Sequence, residues 1–135
     1  MDSAALSPAL WRPWIGLPHA FGADPNDGQA CDCLVMVWRV LEASGVLHPP
    51  LDPSWLELAA DGRWPLLERF WREGTEPLIG PEPLAACLIR NGPAGLGVGV
   101  VVPDGASLGV LIVHHRRGVT WVPCHLLRLL YSRFR

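Results

Sequence analysis

The hydrophobic pattern predicts a buried helix in the first third of the chain. Residues 33–44 are apolar on almost every side, and Arg39 and Glu42 are among their few polar positions. Asp32, directly before this run, is a typical N-cap residue, and Gly45, directly after it, is a typical stop signal. A helix with apolar residues on nearly all sides is buried on nearly all sides. We therefore expect residues 33–44 to form the central helix of the domain.

The remaining chain changes from helical to strand-like periodicity. Residues 54–60 and 64–73 have apolar positions at helical spacing and predict two further short helices. From residue 84 onward, glycine-containing turns separate four short runs of the kind found in antiparallel meanders: LAACLIRN, LGVGVVV, LGVLIVHH and VTWVP. Residues 124–135 have apolar positions at 126, 127, 130 and 134, which suit a final helix. Helices followed by a small antiparallel sheet make an α+β domain.

Length and composition indicate one globular domain. A chain of 135 residues can bury a core without disulfide or metal support, so we expect a single domain over 1–135. It includes a Trp- and Pro-rich segment at 1–22 and an Arg-rich segment at 124–135. The 11 basic residues, all Arg, balance 13 acidic ones, which indicates neither a nucleic-acid partner nor a membrane surface. Most of the seven Trp residues are expected in the core, and exposed ones near the N-terminus would indicate a partner surface.

The chain carries no pattern typical of export or membrane insertion. No apolar run approaches the about 20 residues needed to span a bilayer. The first residues, MDSAALSPALWRPW, lack the basic start and the long apolar core of a signal peptide. We therefore expect folding in a cytoplasm, where the four Cys residues stay reduced.

Cys33 is the candidate nucleophile. A Cys at a helix N-terminus lies at the positive end of the helix dipole and near free backbone N–H groups, which stabilise a thiolate. A papain-type site combines such a Cys with a His base on the facing sheet and a third polar residue that orients the His. The histidines that could act as the base are His19, His114, His115 and His125. The alternative is that Cys33 is a buried thiol packed as a small hydrophobic side chain.

Several motifs resemble those of NlpC/P60 cysteine peptidases. The stretch WIGLPHAFGADPNDGQACDCLVMVWRVL is similar to the start of that family, in which an Asp-Cys pair, here Asp32 and Cys33, opens the central helix. DCLVMVWR and PPLDPSWLEL resemble the branch encoded by tailed phages and gene transfer agents. LGVGVVVPDGASLGVLIVHHRRGVTWVP resembles the family's later strands, so the similarity covers about residues 12–123. It implies a papain-like fold, in which the central helix packs on a small antiparallel sheet.

The chain departs from the family at the position of the general base. Where the family has the His that opens its His-Val-Gly strand, this chain has Gly97, preceded by Leu96, and neither accepts a proton. His114 or His115 falls where the orienting residue belongs. Removal of a general base typically costs orders of magnitude in rate. The resemblance therefore implies that the ordinary triad is lost and that Cys33 is vestigial.

Three functions follow from these motifs. We expect a structural component of a phage tail or baseplate, present in the virion, made in the host cytoplasm, and packed against other tail subunits. The alternative is an active cysteine endopeptidase that cleaves the peptide stems of peptidoglycan, with Cys33 as nucleophile and His114 or His115 recruited as base. No cofactor is expected in either case. A further alternative is a zinc-stabilised interaction module, whose ligands would be Cys31, Cys33, Cys124 and His125. The spacings of these residues are unusual for zinc sites.

Overall fold

The computed structural model describes residues 7–90 and 96–135, and only the backbone is described for Arg90 and Leu96. This part of the chain forms three α-helices and one six-stranded sheet. The helices are α1 (Cys33–Ser44), α2 (Pro53–Ala60) and α3 (Trp64–Gly74). The strands are β1 (Thr75–Pro77), β2 (Ala86–Arg90), β3 (Leu96–Asp104), β4 (Ser107–His114), β5 (Gly118–Pro123) and β6 (Leu130–Phe134). The predicted α+β class is confirmed. None of the described helices is long and apolar enough to cross a membrane.

The helix α1 has the bounds that its sequence predicts. The carboxylate of Asp32 accepts hydrogen bonds from the backbone N–H groups of Leu34 (2.8 Å) and Val35 (3.3 Å), which would otherwise lack partners in the first turn. At the other end, Gly45 adopts a left-handed conformation (φ 73°) that ends the helix. Nine of the twelve residues of α1 are buried, so this is the central helix.

All strand pairs are antiparallel, in the order β1-β6-β2-β3-β4-β5. The predicted meander is confirmed as β2 to β5, although the turn predicted at residues 91–95 lies outside the described residues. The sheet has two differently covered sides. Its helix face packs against α1 and carries Val98, Val100 and Leu111. Its second face carries Cys87, Val101, Val110 and Tyr131, and the segment around Cys124 covers part of it.

The predicted helix over residues 124–135 is wrong. A short 3-10 turn at Cys124–Leu126 is followed by the strand β6, which lies between β1 and β2 and pairs with both. Phe134 at the end of β6 packs in the helix-face core, with its ring centroid 4.8 Å from that of Trp38 and 5.0 Å from that of Trp71. The segment therefore gains two hydrogen-bonded neighbours and an aromatic pocket, and these non-local contacts override its weak helical pattern.

Most of the tryptophans lie in the core, as predicted. Four are buried, and Trp55, Trp64 and Trp121 are half-buried. The ring of Trp11 stacks on that of Trp121 at a centroid distance of 6.2 Å, which attaches the N-terminal segment to the sheet. Since no described Trp is exposed, these side chains do not supply the exposed aromatic surface that a partner would use.

Candidate functional site

Cys33 lies at the first position of α1, on the helix face of the sheet. The loop in front of it is held by Asp32, whose second carboxylate oxygen accepts a hydrogen bond from the backbone N–H of Gly22 at 2.8 Å. An ion pair between Arg39 and Asp24 (2.8 Å) attaches the same loop to the middle of α1. These contacts of Asp32 and Asp24 attach the loop to the start of α1, where Cys33 lies.

The surroundings of the Cys33 thiol oppose its ionisation. The residue is only 8% exposed. The pKa of the thiol is raised to about 12, mainly by burial and to a smaller extent by the charge of the adjacent Asp32. Backbone N–H groups, including that of Val98 on β3, act in the opposite direction and are outweighed. The backbone N–H groups at the start of α1 thus favour the thiolate, as the motif predicts, but burial outweighs them.

Cys31 is a second buried thiol in the same loop. It is completely inaccessible, and its thiol donates a weak hydrogen bond to the backbone carbonyl of Asp32 at 3.5 Å. Burial raises its pKa to about 12, with smaller contributions of the same sign from Cys33 and Asp32. Its backbone forms a parallel bridge with His19. Cys31 therefore packs as a small apolar side chain, as buried cysteines commonly do.

The strand that faces Cys33 presents a valine at this site. Residues of β3 alternate between the two faces of the sheet. Val98 lies in the helix-face core with Cys33, and its neighbours in sequence therefore point the other way. Gly97 pairs with Ile89 on the second face. Gly97 is the position that the family resemblance assigns to the general base, yet a side chain there would point away from α1.

His114 also lies on the second face of the sheet. In β4, Leu111 and Val113 pack on the helix face and Ile112 on the second face, so alternation places His114 away from Cys33. Its Nδ1 atom accepts hydrogen bonds from the backbone N–H groups of Arg116 (3.1 Å) and Arg117 (3.2 Å). The predicted orienting residue, or recruited base, instead stabilises the turn between β4 and β5.

The other histidines lie in different parts of the fold, and His19 is beside the thiol loop through its backbone bridge with Cys31. His115 is exposed in the same turn, and its ring stacks on that of His114 with a centroid distance of 4.5 Å. His125 is exposed beside the second-face cluster, and the ring of His19 is exposed and packs edge-on against Phe21 at 4.7 Å. His48 follows the far end of α1, so a helix of 12 residues separates it from Cys33. Within the described residues, Cys33 makes no hydrogen bond to a histidine.

The four residues considered for zinc are divided by the sheet. Cys31 and Cys33 belong to the helix-face core, whereas Cys124 belongs to the second-face cluster together with the neighbouring segment of His125. Over residues 7–90 and 96–135, no group of three or more Cys, His, Asp or Glu side chains is arranged to hold a metal ion. The structure therefore gives no support to the zinc module, because the sheet separates its proposed ligands.

A second thiol cluster was not predicted as a unit. Cys87 pairs across the strands with Tyr131, and both pack with Cys124 on the second face. Burial raises the pKa of Cys87 to about 12, and it also raises the pKa of Tyr131, whose hydroxyl has Cys124 as its polar neighbour. The sequence signal for this cluster is the alternation of inward and outward side chains along β2 and β6. The segment that forms β6 is predicted as a helix, so the sequence analysis does not show the cluster.

Comparison with protein-family models found no match to this chain, and a search of curated proteins found no significant match. Interpretation of the site therefore rests on its geometry and on the motif resemblance described above.

Proposed function

We propose that this protein is a structural component of a phage tail or baseplate, built on an NlpC/P60-like, papain-like domain that has lost peptidase activity. The tail location and the partner subunits come from the sequence resemblance. One observation supports the proposed loss of activity, namely the burial of the Cys33 thiol against a strand that presents Val98 to it.

The arrangement of α1 on the sheet supports the papain-like part of the proposal. A Cys that opens a central helix, preceded by an Asp, packs here against the third strand of an antiparallel sheet. In a cysteine peptidase, that arrangement would bring a base on the strand to the thiol. The helix and its packing are what a structural domain needs, and they do not depend on the thiol being reactive.

Over residues 7–90 and 96–135, Cys33 has no hydrogen bond to a histidine, and this supports the structural role over the peptidase. An imidazole must lie within hydrogen-bond reach of the sulfur, about 3–4 Å, to accept its proton. His114 lies on the opposite face of the sheet and already accepts two backbone hydrogen bonds. A peptidase would require both a base and access for a peptide substrate, and the thiol is almost fully enclosed.

Reactivity of the thiol tests the loss of activity. We expect iodoacetamide at pH 7 to modify Cys33 more slowly in the folded protein than in the chain unfolded with guanidinium chloride, as measured by mass spectrometry of peptides. Purified peptidoglycan incubated with the protein should release no new amino groups beyond the Cys33→Ala control. Accelerated alkylation, or release that depends on Cys33, would show an active peptidase and contradict the proposal.

Immunolabelling of purified particles tests the location. An antibody raised against the purified protein should label the tail or baseplate in electron micrographs. The control is a particle preparation from a strain lacking the gene. Absence of the protein from particles, as judged by labelling and mass spectrometry, would contradict the proposed location without bearing on the chemistry of Cys33.

A further inference from the structure

The turn between β4 and β5 is an exposed cluster of basic side chains. Residues 114–117 read His-His-Arg-Arg, and residues 115–117 are exposed. In the part of the chain that the structure describes, all ion pairs are formed by other residues, so Arg116 and Arg117 have no carboxylate partner there. Two guanidinium groups and two imidazoles therefore lie within four residues, and neither guanidinium forms an ion pair with a described carboxylate.

The backbone of this turn presents two donors to one acceptor. The N–H groups of Arg116 and Arg117 both point at Nδ1 of His114, at 3.1 and 3.2 Å. Successive backbone N–H groups that converge in a turn form a concavity that binds anions. The His114 nitrogen therefore occupies the position in which an anion's oxygen would be held. It can accept these bonds only while Nδ1 is unprotonated.

The charges that act on His114 favour its neutral form. Partial burial lowers its pKa below the ordinary value of 6.5, and the neighbouring His115, Arg117 and Arg116 lower it further. Gly118, which pairs with His114 across the hairpin, and the backbone of Leu17, which meets Gly118, add no charge. Because the folded pKa is lowered, the two hydrogen bonds are present above about pH 6.5 and are lost as the pH falls through the folded pKa.

An exposed apolar side chain, Ile15, belongs to the segment that runs beside the basic turn. The segment around Gly16 and Leu17 runs along the edge of β5, where Gly16 donates to the carbonyl of Val119 (2.9 Å) and Leu17 accepts from its N–H (3.0 Å). Ile15, next to this contact, is 46% exposed. A partner segment on the turn would therefore meet cationic and apolar groups together, a combination typical of protein interfaces.

We propose that this turn is a docking site for a carboxylate-rich segment of a partner protein, and that protonation of His114 opens it. On protonation, the imidazolium leaves the two N–H groups, a carboxylate of the partner takes its place, and His114 becomes a further donor to the same anion. Arg116 and Arg117 supply the long-range attraction. The inference rests on the proposed function only in assuming that the protein has a partner.

The test uses the full chain and a hexaglutamate peptide as the probe. Amide resonances of Arg116 and Arg117 are followed by NMR from pH 8 to pH 5.5, with and without the peptide, whose side chains remain largely ionised over this range. We expect the peptide to bind about tenfold more tightly at pH 5.5 than at pH 7.5 and to raise the pKa of His114 by about one unit, since both measure the same linkage.

Two variants distinguish an effect of the His114 hydrogen bonds on peptide binding from an effect of positive charge in the turn. In His114→Asn, the side-chain Oδ1 can still accept from the turn but does not titrate, so the pH dependence of binding should disappear. In His115→Asn, the other imidazole of the turn is removed while the hydrogen bonds of His114 remain, so the pH dependence should persist. Circular dichroism confirms that both variants are folded.

Several results would overturn the inference. Peptide binding that is independent of pH in the wild type, or equal loss of pH dependence in both variants, would show that the His114 contact does not gate the site. Tighter binding of duplex DNA than of the peptide would identify a phosphate-bearing partner instead. None of these measurements involves Cys33, so the inference and the proposed loss of activity can fail independently.

Discussion

Asp32 caps α1 and, through the same carboxylate, opposes ionisation of the adjacent Cys33 thiol. The cap holds the N–H groups of the first helical turn, and its negative charge adds to the effect of burial on the thiol pKa. In an isolated helix, the first position would favour a thiolate. In this fold, the two effects that raise the pKa are larger than the favourable effect of the backbone.

Changing the cap should separate its two roles. Asp32→Asn keeps an oxygen for Leu34 but loses the charge and the acceptor for Gly22. We expect it to lower the Cys33 pKa, because the neighbouring charge is removed, with a smaller loss of stability than in Asp32→Ala. The Ala variant should lose about 1–2 kcal/mol of unfolding free energy. The checks are the pH profile of Cys33 alkylation and urea denaturation, and an unchanged profile in Asp32→Asn would contradict the electrostatic role.

A histidine introduced at position 97 should not activate Cys33. Because residue 97 faces away from α1, we expect Gly97→His to leave the alkylation rate of Cys33 at pH 7 within about twofold of the wild-type rate. Val98→His, which faces α1, is the matched variant and should raise the rate at some cost in stability. If Gly97→His accelerated alkylation and Val98→His did not, the assignment of the two sheet faces would be wrong.

Gly109 is required for the packing of Trp121. A Cβ atom added at position 109 would lie 2.1–2.6 Å from atoms of the Trp121 indole, whose N–H donates to the carbonyl of Val102 at 3.1 Å. We expect Gly109→Ala to cost about 1–3 kcal/mol, because the ring must move. Gly80→Ala is the control, since a Cβ there has no atom within 4 Å. Urea denaturation followed by Trp fluorescence measures both, and equal stabilities would refute the close contact.

The C-terminal strand can be distinguished from the helix that the sequence predicts. Phe134→Ala should lower the unfolding free energy by about 2–4 kcal/mol, because its ring fills a pocket between Trp38 and Trp71. Leu126→Ala should change it by less than about 0.5 kcal/mol, because Leu126 is 65% exposed. A helix with both residues on its apolar side would give comparable losses, so thermal denaturation of the two variants decides between the assignments.

Local signals in the sequence were sufficient for α1 and for the meander. Asp32 and Gly45 act through hydrogen bonds to residues two or three positions away, so the bounds of the helix can be deduced without any tertiary contact. The strands β2 to β5 follow one another along the chain and pair with their neighbours in sequence. Short connections of this kind leave few alternative pairings.

By contrast, β6 and the two faces of the sheet depend on distant residues. Leu130 in β6 pairs with Leu88, more than 40 positions earlier in the chain. No local sequence pattern indicates that β6 lies between β1 and β2. Which side His114 or Gly97 faces depends on strand register, and a shift of one residue reverses every side chain. The motif resemblance assigns both positions to a site around Cys33. The alternation of side chains along β3 and β4 instead places them on the second face of the sheet, away from Cys33.

The sequence by itself determined that a cysteine opens a capped, buried helix and that an antiparallel meander follows it, because caps and turns are local interactions. Only the tertiary structure decided that the Cys33 thiol is enclosed and held neutral, and that His114 accepts from the turn at Arg116 and Arg117. The physical reason is that burial and the facing side of a strand arise from contacts between segments far apart in the chain.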